Sequence, residues 1–546
     1  MSRLRLATRG EGATPGLDLA VLDRARLSRD PRFDGRFFIA VKTTGIYCRP
    51  ICPSPTCNAR NVVYYASAAA AAEAGFRPCL RCRPEAAPGT PAWLGTSAIV
   101  RRALRLIQDG HLDESSVEAL AAQVGVGPRH LHRLFLRHLG ASPLTVAQTR
   151  RLQFAKRLLD ETDLPITEIA LCARFGSLRR FNDAIRKTYA RAPRELRRLK
   201  RGGIDRHDGH AIALELSFRP PYAWAEMHEY LAARAIPGVE RVDERGYWRT
   251  LAAQAGHALV GVRPVARQHA LELRVEGATP TELLQISAAA RRSFDLSADP
   301  FLIAGAFDAD PRLASLVRRQ PGRRIPGVWG GFECAVRAVL GQQASVAAAR
   351  TLAGRLVARA GRSIVGGADG LTHVFPGAEE LAAADLTGLG LTDKRVAVLK
   401  ALARGVAGGT IDFSAPEDAL RRALMALPGF GAWSVDYVTL RALGQPDAFP
   451  AADLVLRRVA AAGSRPLTPR ELLDEAERWR PWRGYAAVHL WAAAGADGPA
   501  RSPMLVPGTP KAAAARRWWE SSDYAALETL RQESATAKSD RRGRLA

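Results

Sequence analysis

The pattern of apolar and polar residues changes along the chain, and each change predicts a different kind of element. In "AIALELSFRPPYAW" and "HALELRVEG" the two kinds of residue largely alternate, which predicts strands. Between these segments, "AWAEMHEYLAARA" has the three- and four-residue apolar spacing of a helix. We therefore expect an α+β domain over residues 210–322, and its residues indicate no chemistry by themselves.

Two similar helical units precede this domain. "SVEALAAQVGVGPRHLHRLFLRHLGASP" recurs as "ITEIALCARFGSLRRFNDAIRKTYARAP", and Pro143 and Pro193 stand fifty residues apart. Each unit predicts a short helix with an apolar inner face, a tight turn and a second helix rich in Arg, His and Asn. This is helix-turn-helix spacing, in which the second helix enters the major groove of DNA. A connecting helix is expected near residues 144–160.

Residues 323–500 are mostly helical in pattern and contain "LPGFGAWSVDYVTLRALGQPDAFPAADLVLRR". "LPGFG" predicts a hairpin between two helices, where Gly429 and Gly431 let backbone N–H groups at a helix N-terminus bind a phosphate. This motif is weak evidence alone. It is strengthened by Asp453, which follows Gly431 by 22 residues, and by "FECAVRAVLGQQASVAAA" upstream.

Composition adds that the chain holds several domains and a large positive charge. At 546 residues and ~100–200 residues per domain, roughly three to five domains are expected. The 79 Lys and Arg residues exceed the 54 Asp and Glu residues by 25, which favours double-stranded DNA as a partner. Solvated basic faces in an Arg-rich protein are the alternative. Without an apolar run of ~18 residues or a signal peptide, we expect a cytoplasmic, nucleoid-associated protein.

Five of the seven cysteines cluster near the start of the chain. Cys48 and Cys52 form a C-x3-C pair, and Cys79 and Cys82 form a C-x2-C pair in "FRPCLRC". Disulfides are rare in the cytoplasm, and two close thiolate pairs suit one tetrahedral Zn²⁺. A purely structural zinc is the alternative to a reactive one, and Cys57 is interpreted as a spare thiol. The neighbouring arginines are candidates for contact with flanking phosphates, with solvation as the alternative: Arg49, Arg60, Arg77 and Arg81.

Two family resemblances attach functions to the first 200 residues. "DPRFDGRFFIAVKTTGIYCRPIC" and "AGFRPCLRCRP" resemble the N-terminal domain of the Ada adaptive-response proteins over roughly residues 18–88. The resemblance implies that Cys48 both binds zinc and irreversibly accepts a methyl group from a methylated DNA phosphate. The insertion "PSPT" ahead of Cys57 departs from the family pattern and affects the loop after Cys52.

The two helical units resemble an AraC-type DNA-binding domain. Arg174 stands where the second turn of that family usually carries glycine, so we expect a less tight turn there. Cys172 is interpreted as part of the core. The candidates for groove contact, each with phosphate contact as the alternative, are Arg129, His130, His132, Arg133, Arg179, Arg180 and Asn182.

Residues 210–500 resemble the helix-hairpin-helix DNA glycosylases, and "FRPPYAWAEMHEYLAARAIPGVE" makes the AlkA family the best match. The resemblance implies that Asp453 is the catalytic carboxylate, with an N-cap of the following helix as the alternative. It also implies that Trp433, Tyr437 and Trp491 form the base pocket, although core packing is the ordinary role of such residues. Gln342 and Gln343 would fill the gap left by a flipped base. The AlkA pattern has leucine at the second of these positions.

Two absences narrow the expected chemistry. Trp433 occupies the position where strand-cutting glycosylases of this superfamily place a lysine, so we expect a monofunctional enzyme. No P-C-H-R motif occurs and Cys334 lies in an apolar helix pattern, so repair of O6-alkylguanine is not expected.

The sequence therefore predicts a multidomain, mainly α protein with α+β parts: residues 1–92, a small zinc-binding α/β domain that accepts methyl groups; 96–200, an all-α double helix-turn-helix domain; 210–322, an AlkA N-terminal-like α+β domain; 323–500, a mostly α helix-hairpin-helix glycosylase domain; and 501–546, a flexible tail. As function we expect a methylation-switched transcription activator that also excises alkylated bases of the 3-methyladenine type. We expect a monomer, with RNA polymerase as a candidate partner. The alternative is a non-catalytic DNA-binding regulator with a structural zinc and an inactive glycosylase-like domain.

Overall fold

The computed structural model of the protein describes residues 19–88, 98–198, 211–265, 268–364, 369–461 and 465–496. The predicted tail over 501–546 lies outside these residues. So does most of the basic linker predicted by "RELRRLKRGGIDRHDGH", whose first residues belong to a short helix.

The N-terminal region is a small four-stranded sheet with two helices. The strand order is β3-β1-β2-β4, with β2 and β4 parallel and the other pairs antiparallel. Buried Phe38, Tyr47 and Tyr65 pack one face of the sheet against a run of small alanines on α2. The elements are α1 Leu19–Ser28, β1 Phe38–Val41, β2 Ile46–Cys48, β3 Val62–Tyr65, α2 Ala68–Glu73 and β4 Arg77–Pro78.

The second region is all-α and contains both predicted helix-turn-helix motifs. They are α5–α6 and α8–α9, and the predicted connecting helix is α7. Ser116, Ser142 and Ser177 cap helices by accepting backbone N–H groups, as serine does at an N-cap. The elements are α3 Ala98–Gln108, α4 His111–Glu114, α5 Val117–Gln123, α6 Pro128–Leu139, α7 Pro143–Glu161, α8 Ile166–Cys172, α9 Leu178–Tyr189 and α10 Pro193–Arg198.

The expectation of a looser second turn at Arg174 is wrong. Arg174 adopts the left-handed backbone with φ 58°, and Gly125 occupies the same place in the first motif with φ 78°. The amides of Arg174 and of the next residue donate to carbonyls three and five residues back, both over 2.9 Å, and the first turn makes the same two bonds over 3.0 Å. The turn geometry is therefore kept, although a non-glycine residue in this conformation costs roughly 1–2 kcal/mol.

The third region has a five-stranded antiparallel sheet followed by helices. The strand order is β5-β9-β8-β7-β6. The sequence pattern located β5, α11 and β9 but not the three strands between them. The elements are β5 Ala211–Ser217, α11 Trp224–Arg234, β6 Glu240–Asp243, β7 Gly246–Ala253, β8 Gly256–Pro264, β9 Ala270–Glu276, α12 Leu283–Ser293, α13 Pro300–Ala306 and α14 Pro311–Arg319.

The fourth region is helical apart from one short strand pair. One core lies among α15, α16, α18 and α20, and a second joins α13 and α14 to the C-terminal helices. The elements are α15 Gly331–Gly341, α16 Val346–Ala360, β10 Arg362–Ser363, β11 His373–Val374, α17 Ala378–Ala383, α18 Asp393–Ala407, α19 Glu417–Met425, α20 Ala432–Arg441, α21 Leu454–Ala460, α22 Pro469–Ala476 and α23 Arg483–Ala496.

The four regions pack against one another rather than standing apart. Ile169 and Phe181 of the second helix-turn-helix motif share one core with Leu214 and Leu271 of the five-stranded sheet. The zinc-binding region touches the third region through a buried ion pair of 3.0 Å between Arg36 and Asp299. Within the described ranges, no helix has both the length and the apolar character needed to cross a membrane.

Candidate functional site

Four cysteine sulfurs come together where two short strands run side by side. β2 and β4 pair with Tyr47 opposite Pro78, so the residues that follow, Cys48 and Cys79, are neighbours. The amide of Cys79 donates to the carbonyl oxygen of Tyr47 over 2.9 Å. The Sγ atoms of Cys48, Cys52, Cys79 and Cys82 lie within 4.8 Å of one another.

This cluster fits the predicted zinc site. Zn–S bonds of about 2.3 Å in a tetrahedron put the sulfurs about 3.8 Å apart, a spacing that the four Sγ atoms can provide. Cys57 is not one of the four, and its carbonyl oxygen accepts a hydrogen bond from Arg26 over 3.0 Å. The prediction of one Zn²⁺ held by four cysteines is confirmed.

The four cysteines differ in exposure. Cys79 and Cys82 are buried, at 7% and 6% exposed, whereas Cys48 and Cys52 are half-buried. A macromolecular methyl donor can therefore approach Cys48 or Cys52 more readily than the other two. The backbone amide of Arg49 donates to the Sγ of Cys82 over 3.3 Å.

The arginines predicted around the cluster fall into two groups. Arg60, Arg77 and Arg81 are exposed. The Arg49 side chain is 11% exposed and forms a two-point ion pair with Asp34, and it also donates to the carbonyl oxygen of Cys82 over 3.1 Å. This placement does not support the DNA contact predicted for Arg49, because its guanidinium already holds the cysteine loop. Asp34 was missed, and nothing in its sequence spacing points to Arg49.

The predicted groove-contact residues lie on the outer faces of α6 and α9. Arg129, His132 and Arg133 are exposed and His130 is half-buried, with its Nδ1 3.0 Å from a guanidinium nitrogen of Arg133. On α9, Arg179 and Arg180 are exposed and Asn182 is half-buried. Both second helices therefore present basic surfaces to solvent, with Phe135 and Phe181 buried on their inner sides.

The Asp453 carboxylate both caps a helix and accepts hydrogen bonds from two tryptophans. It is the N-cap of α21, since its Oδ1 accepts the amide of Leu456 over 3.0 Å. The same oxygen accepts the indole N–H of Trp491 over 3.1 Å, and Oδ2 accepts the indole N–H of Trp433 over 2.8 Å. The N-cap interpretation is thus correct, but only one of these three hydrogen bonds belongs to the cap. The other two come from the tryptophans.

Two of the three aromatic residues predicted for the base pocket, Trp433 and Trp491, bind this carboxylate, and the third, Tyr437, stacks on Trp433. Trp433 and Tyr437 lie one helical turn apart on α20 and stack with centroids 5.3 Å apart. Behind them lies Arg441, 6% exposed, whose guanidinium is 5.4 Å from the ring centroids of both Tyr437 and Trp491 and 4.9 Å from that of Tyr230. Arg441 was missed, although its i+4 spacing from Tyr437 could have indicated it.

Two other carboxylates near α20 are already paired with arginines. Asp436 is 2.7 Å from a guanidinium nitrogen of Arg421, and Asp447 bonds to Arg480 and Arg483. In the described part of the chain, Asp453 is bound by neutral N–H donors and by no arginine or lysine. Among the three carboxylates, Asp453 is therefore the one without an ion-pair partner, although the Arg441 guanidinium lies behind the same rings.

The hairpin lies between α19 and α20 as predicted. Gly429 has φ 88°, and a Cβ there would come within 2.7 Å of Val398, so the turn requires glycine. Gly431 precedes α20 and both glycines are exposed. The first amides of α20 have no acceptor within the helix, which makes this end suitable for a phosphate.

The loop after α15 contacts this hairpin through one of its two glutamines. The side-chain amide of Gln342 donates to the carbonyl oxygen of Gly429 over 2.9 Å and to the hydroxyl of Ser434 over 3.0 Å. Gln343 is exposed, with φ 50°. Only Gln343 thus projects freely, while Gln342 ties the loop to the hairpin.

The remaining cysteines have a structural role. Cys172 and Cys334 are at most 1% exposed, and burial raises the pKa of each thiol to about 12. Both thiols are therefore expected to be protonated at neutral pH, and their burial agrees with the core position predicted for Cys172 and the apolar helix predicted for Cys334.

Four family models match the chain in succession. They are the metal binding domain of Ada over residues 22–85, a helix-turn-helix domain over 120–199, the AlkA N-terminal domain over 213–330 and the HhH-GPD superfamily base excision DNA repair protein over 336–482. The predicted fold class is confirmed.

Similar proteins match either most of the chain or one part of it. A probable bifunctional transcriptional activator/DNA repair enzyme AlkA of Mycobacterium tuberculosis is 43% identical over 86% of this chain and 95% of its own length. DNA-3-methyladenine glycosylase 2 of Escherichia coli is 34% identical over 50% of this chain and 95% of its own length. The bifunctional transcriptional activator/DNA repair enzyme Ada of Escherichia coli is 41% identical over 26% of this chain and 39% of its own length. With its zinc cluster, paired helix-turn-helix motifs and hairpin glycosylase region in one chain, this protein belongs to the family of bifunctional transcriptional activator/DNA repair enzymes that join Ada-type and AlkA-type domains.

Proposed function

We propose that this protein responds to DNA alkylation in two ways: it takes methyl from methylphosphotriesters onto Cys48 and then activates transcription, and it excises alkylated bases of the 3-methyladenine type. The observation that carries the proposal is the presence in one chain of a half-exposed zinc-site cysteine and, inside an aromatic cluster, a carboxylate that has no ion-pair partner among the described residues.

The methyl transfer is a direct displacement. The Cys48 sulfur attacks the methyl carbon, an S–C bond forms, the C–O bond breaks, and the phosphate leaves as an ordinary diester anion. A bound Zn²⁺ would keep the four cysteines as thiolates at neutral pH. The product is a thioether, from which the phosphodiester cannot recover the methyl group, so each protein molecule accepts one methyl group.

Charge explains how methylation could act as a switch. Four thiolates with one Zn²⁺ carry a formal charge of −2, which repels ordinary DNA phosphates. A methylphosphotriester is uncharged, so the damaged site approaches with less repulsion. Once Cys48 is methylated, the local charge falls to −1 and unmodified DNA binds more readily, aided by the exposed Arg60, Arg77 and Arg81.

Base excision would depend on Asp453 and the rings around it. Cleavage of an N-glycosidic bond gives the sugar an oxocarbenium character, which a fixed carboxylate stabilises. An alkylated purine such as 3-methyladenine already carries positive charge and leaves without a strong general acid. The flipped base would lie against Trp433, Tyr437 and Trp491, while the amides around Gly429 and Gly431 hold the backbone.

The two indole N–H groups would be positioning groups for the Asp453 carboxylate. Trp433→Phe removes one donor and keeps an aromatic face. A hydrogen bond to a charged group contributes about 1.5 kcal/mol or more, so the excision rate constant should fall about tenfold. Single-turnover release of 3-methyladenine measures this, with damaged-DNA affinity and the melting temperature as controls. If Trp433 only packs, affinity or stability will fall and the rate constant will not.

The glycosylase should leave the DNA strand intact. Lys394 and Lys400 are the two lysines in 323–500. The amine of Lys400 donates to backbone carbonyls, including that of Ala382 over 2.9 Å, and Lys394 is exposed at the start of α18. With Trp433 in the place of a lyase lysine, we expect abasic sites and unbroken strands until alkali is added. A protein–DNA complex trapped by borohydride, and lost on mutation of one lysine, would contradict this.

DNA is the partner of the helix-turn-helix and glycosylase regions. We further propose RNA polymerase as the partner of the activated form, a monomeric state and a cytoplasmic, nucleoid-associated location. A single experiment tests the central proposal: incubation with DNA methylated by a radiolabelled reagent should give both labelled protein and free labelled base. A non-catalytic regulator would give neither product.

A further inference from the structure

A cavity of about 570 Å³ lies where the four regions of the chain meet. Its walls come from α2, from α3 and α7, from α12, and from the segments before α19 and after α20. The cysteine cluster, Asp453 and the aromatic residues beside Asp453 are not part of these walls. The cavity therefore adjoins the proposed base pocket through Arg441, which lines it and also lies behind Tyr437 and Trp491, but it contains none of the residues assigned to either reaction.

The walls of this cavity carry an excess of positive charge. Eight arginines and four carboxylates line it. Two of the arginines, Arg150 and Arg157, also pair with Asp113 and Glu161, which lie outside the walls, so the excess of positive charge is about two. Burial raises the pKa of Asp295 to about 6 and also raises the pKa of Glu417, which weakens the countercharge.

Arg105 and Arg291 are among the arginines whose guanidinium groups donate to backbone carbonyls. Arg291 donates to the carbonyl oxygen of Ser217 over 3.2 Å, and Arg105 donates to those of Leu443 and Phe413 over 3.0 and 3.3 Å. Among the described residues, Arg291 has no carboxylate within salt-bridge distance, and the nearest for Arg105 is Asp109 at 3.9 Å. Burial lowers the pKa of Arg291 to about 9 and that of Arg105 to about 10. Both side chains are half-buried, and a partly desolvated cation without a close counter-ion is less stable than one in water, so an anion between α3 and α12 would be stabilised.

The size and the apolar part of the walls indicate what kind of anion fits. The volume lies within the ~300–1,000 Å³ of small-molecule sites, so inorganic phosphate would fill only a small part. Val146, Phe154, Leu284 and Val328 provide apolar surface beside the arginines. We propose that the cavity binds a small organic anion that carries phosphate groups and has the size of a nucleotide, with the phosphates at Arg105 and Arg291.

The test uses the full-length protein with ATP and inorganic pyrophosphate as probes, in calorimetric titrations at physiological salt. ATP should bind at one site, and pyrophosphate more weakly because it cannot use the apolar walls. Arg105→Met and Arg291→Met should each weaken ATP binding about tenfold or more, the effect of losing one charge-assisted hydrogen bond. Arg179→Ala is the matched control, because it removes an exposed arginine on α9 and should leave ATP binding unchanged.

Absence of ATP binding, or pyrophosphate binding as tight as ATP binding, would overturn the proposal. So would a loss of ATP binding in Arg179→Ala equal to that in Arg105→Met and Arg291→Met, because it would assign the site to the DNA-binding surface. Folding is checked independently. Each replacement also removes hydrogen bonds to backbone carbonyls, so the melting temperature of the ligand-free variants should fall modestly, and an unchanged circular-dichroism spectrum shows that they have folded. ATP should raise the melting temperature of the parent protein and not that of the two methionine variants.

Discussion

Replacement of Cys48 by alanine is expected to abolish methyl transfer to the protein, while base excision stays within a few-fold of the parent rate. The loss should be complete because the attacking sulfur is gone and Cys79 and Cys82 are buried, at 7% and 6% exposed, so residual transfer would identify the half-buried Cys52 as an acceptor. Excision should persist because Asp453 and the rings around it belong to the helical fourth region, which has its own core. Retained excision shows that the fourth region of Cys48→Ala has folded, and a far-UV circular-dichroism spectrum like that of the parent protein checks the N-terminal region.

The control for this prediction is Cys57→Ala. Cys57 lies in the loop that follows β2 and is half-buried like Cys48, but it is outside the four-sulfur cluster. Its removal should leave methyl transfer intact. Mass spectrometry of the parent protein after reaction with methylated DNA should find one methyl group, on the peptide that contains Cys48. A methyl group on Cys52 would show instead that the other half-exposed thiolate is the nucleophile.

The cysteine site and the helix-turn-helix motifs could be predicted from sequence because their geometry is local. Two short cysteine spacings define four ligands, and a fifty-residue repeat defines two motifs. At Arg174 this local reasoning failed, because the same pair of backbone hydrogen bonds forms with arginine as with glycine. A side chain that tolerates the left-handed region at modest cost does not change the turn.

The partners of the site residues could not be predicted, because they come from distant parts of the chain. Trp491 follows Asp453 by 38 residues and Asp34 precedes Arg49 by 15, and no spacing rule connects such pairs. The arginine cavity is a stronger example. Arg105 and Arg291 are ordinary basic residues on amphipathic helices, and only the packing of α3 near α12 brings both to one space.

Replacement of Asp453 by asparagine is expected to slow release of 3-methyladenine by ~10²–10³-fold, the usual effect of removing one preorganised charge at a reacting centre. The change deletes the negative charge that opposes the oxocarbenium ion. Asparagine is also a good N-cap, so α21 should still begin at Leu454 and the melting temperature should change little. Affinity for damaged DNA should be kept or rise, since a negative charge near the backbone is removed.

Because of the hydrogen bonds that Asp453 accepts, the asparagine variant changes a donor–acceptor contact as well as the charge. Both carboxylate oxygens accept indole N–H groups, but an asparagine amide has one oxygen and one N–H₂ group, so it would present a donor to one of the two indoles. The double variant Asp453→Asn with Trp433→Phe separates the two effects. If charge is what matters, the double variant will be as slow as Asp453→Asn alone. Recovery of most of the rate in the double variant would assign the loss to donor–donor repulsion.

Asp436→Asn and Asp447→Asn are the matched controls for the carboxylate. Both carboxylates lie near α20 but are neutralised by arginines, Asp436 by Arg421 and Asp447 by Arg480 and Arg483. A charge that is already paired contributes little field at a neighbouring reacting centre, so these variants should excise within a few-fold of the parent rate. If instead Asp453→Asn is nearly as fast as the parent and one of these two is slow, Asp453 is only the cap of α21 and the slow variant identifies the catalytic carboxylate.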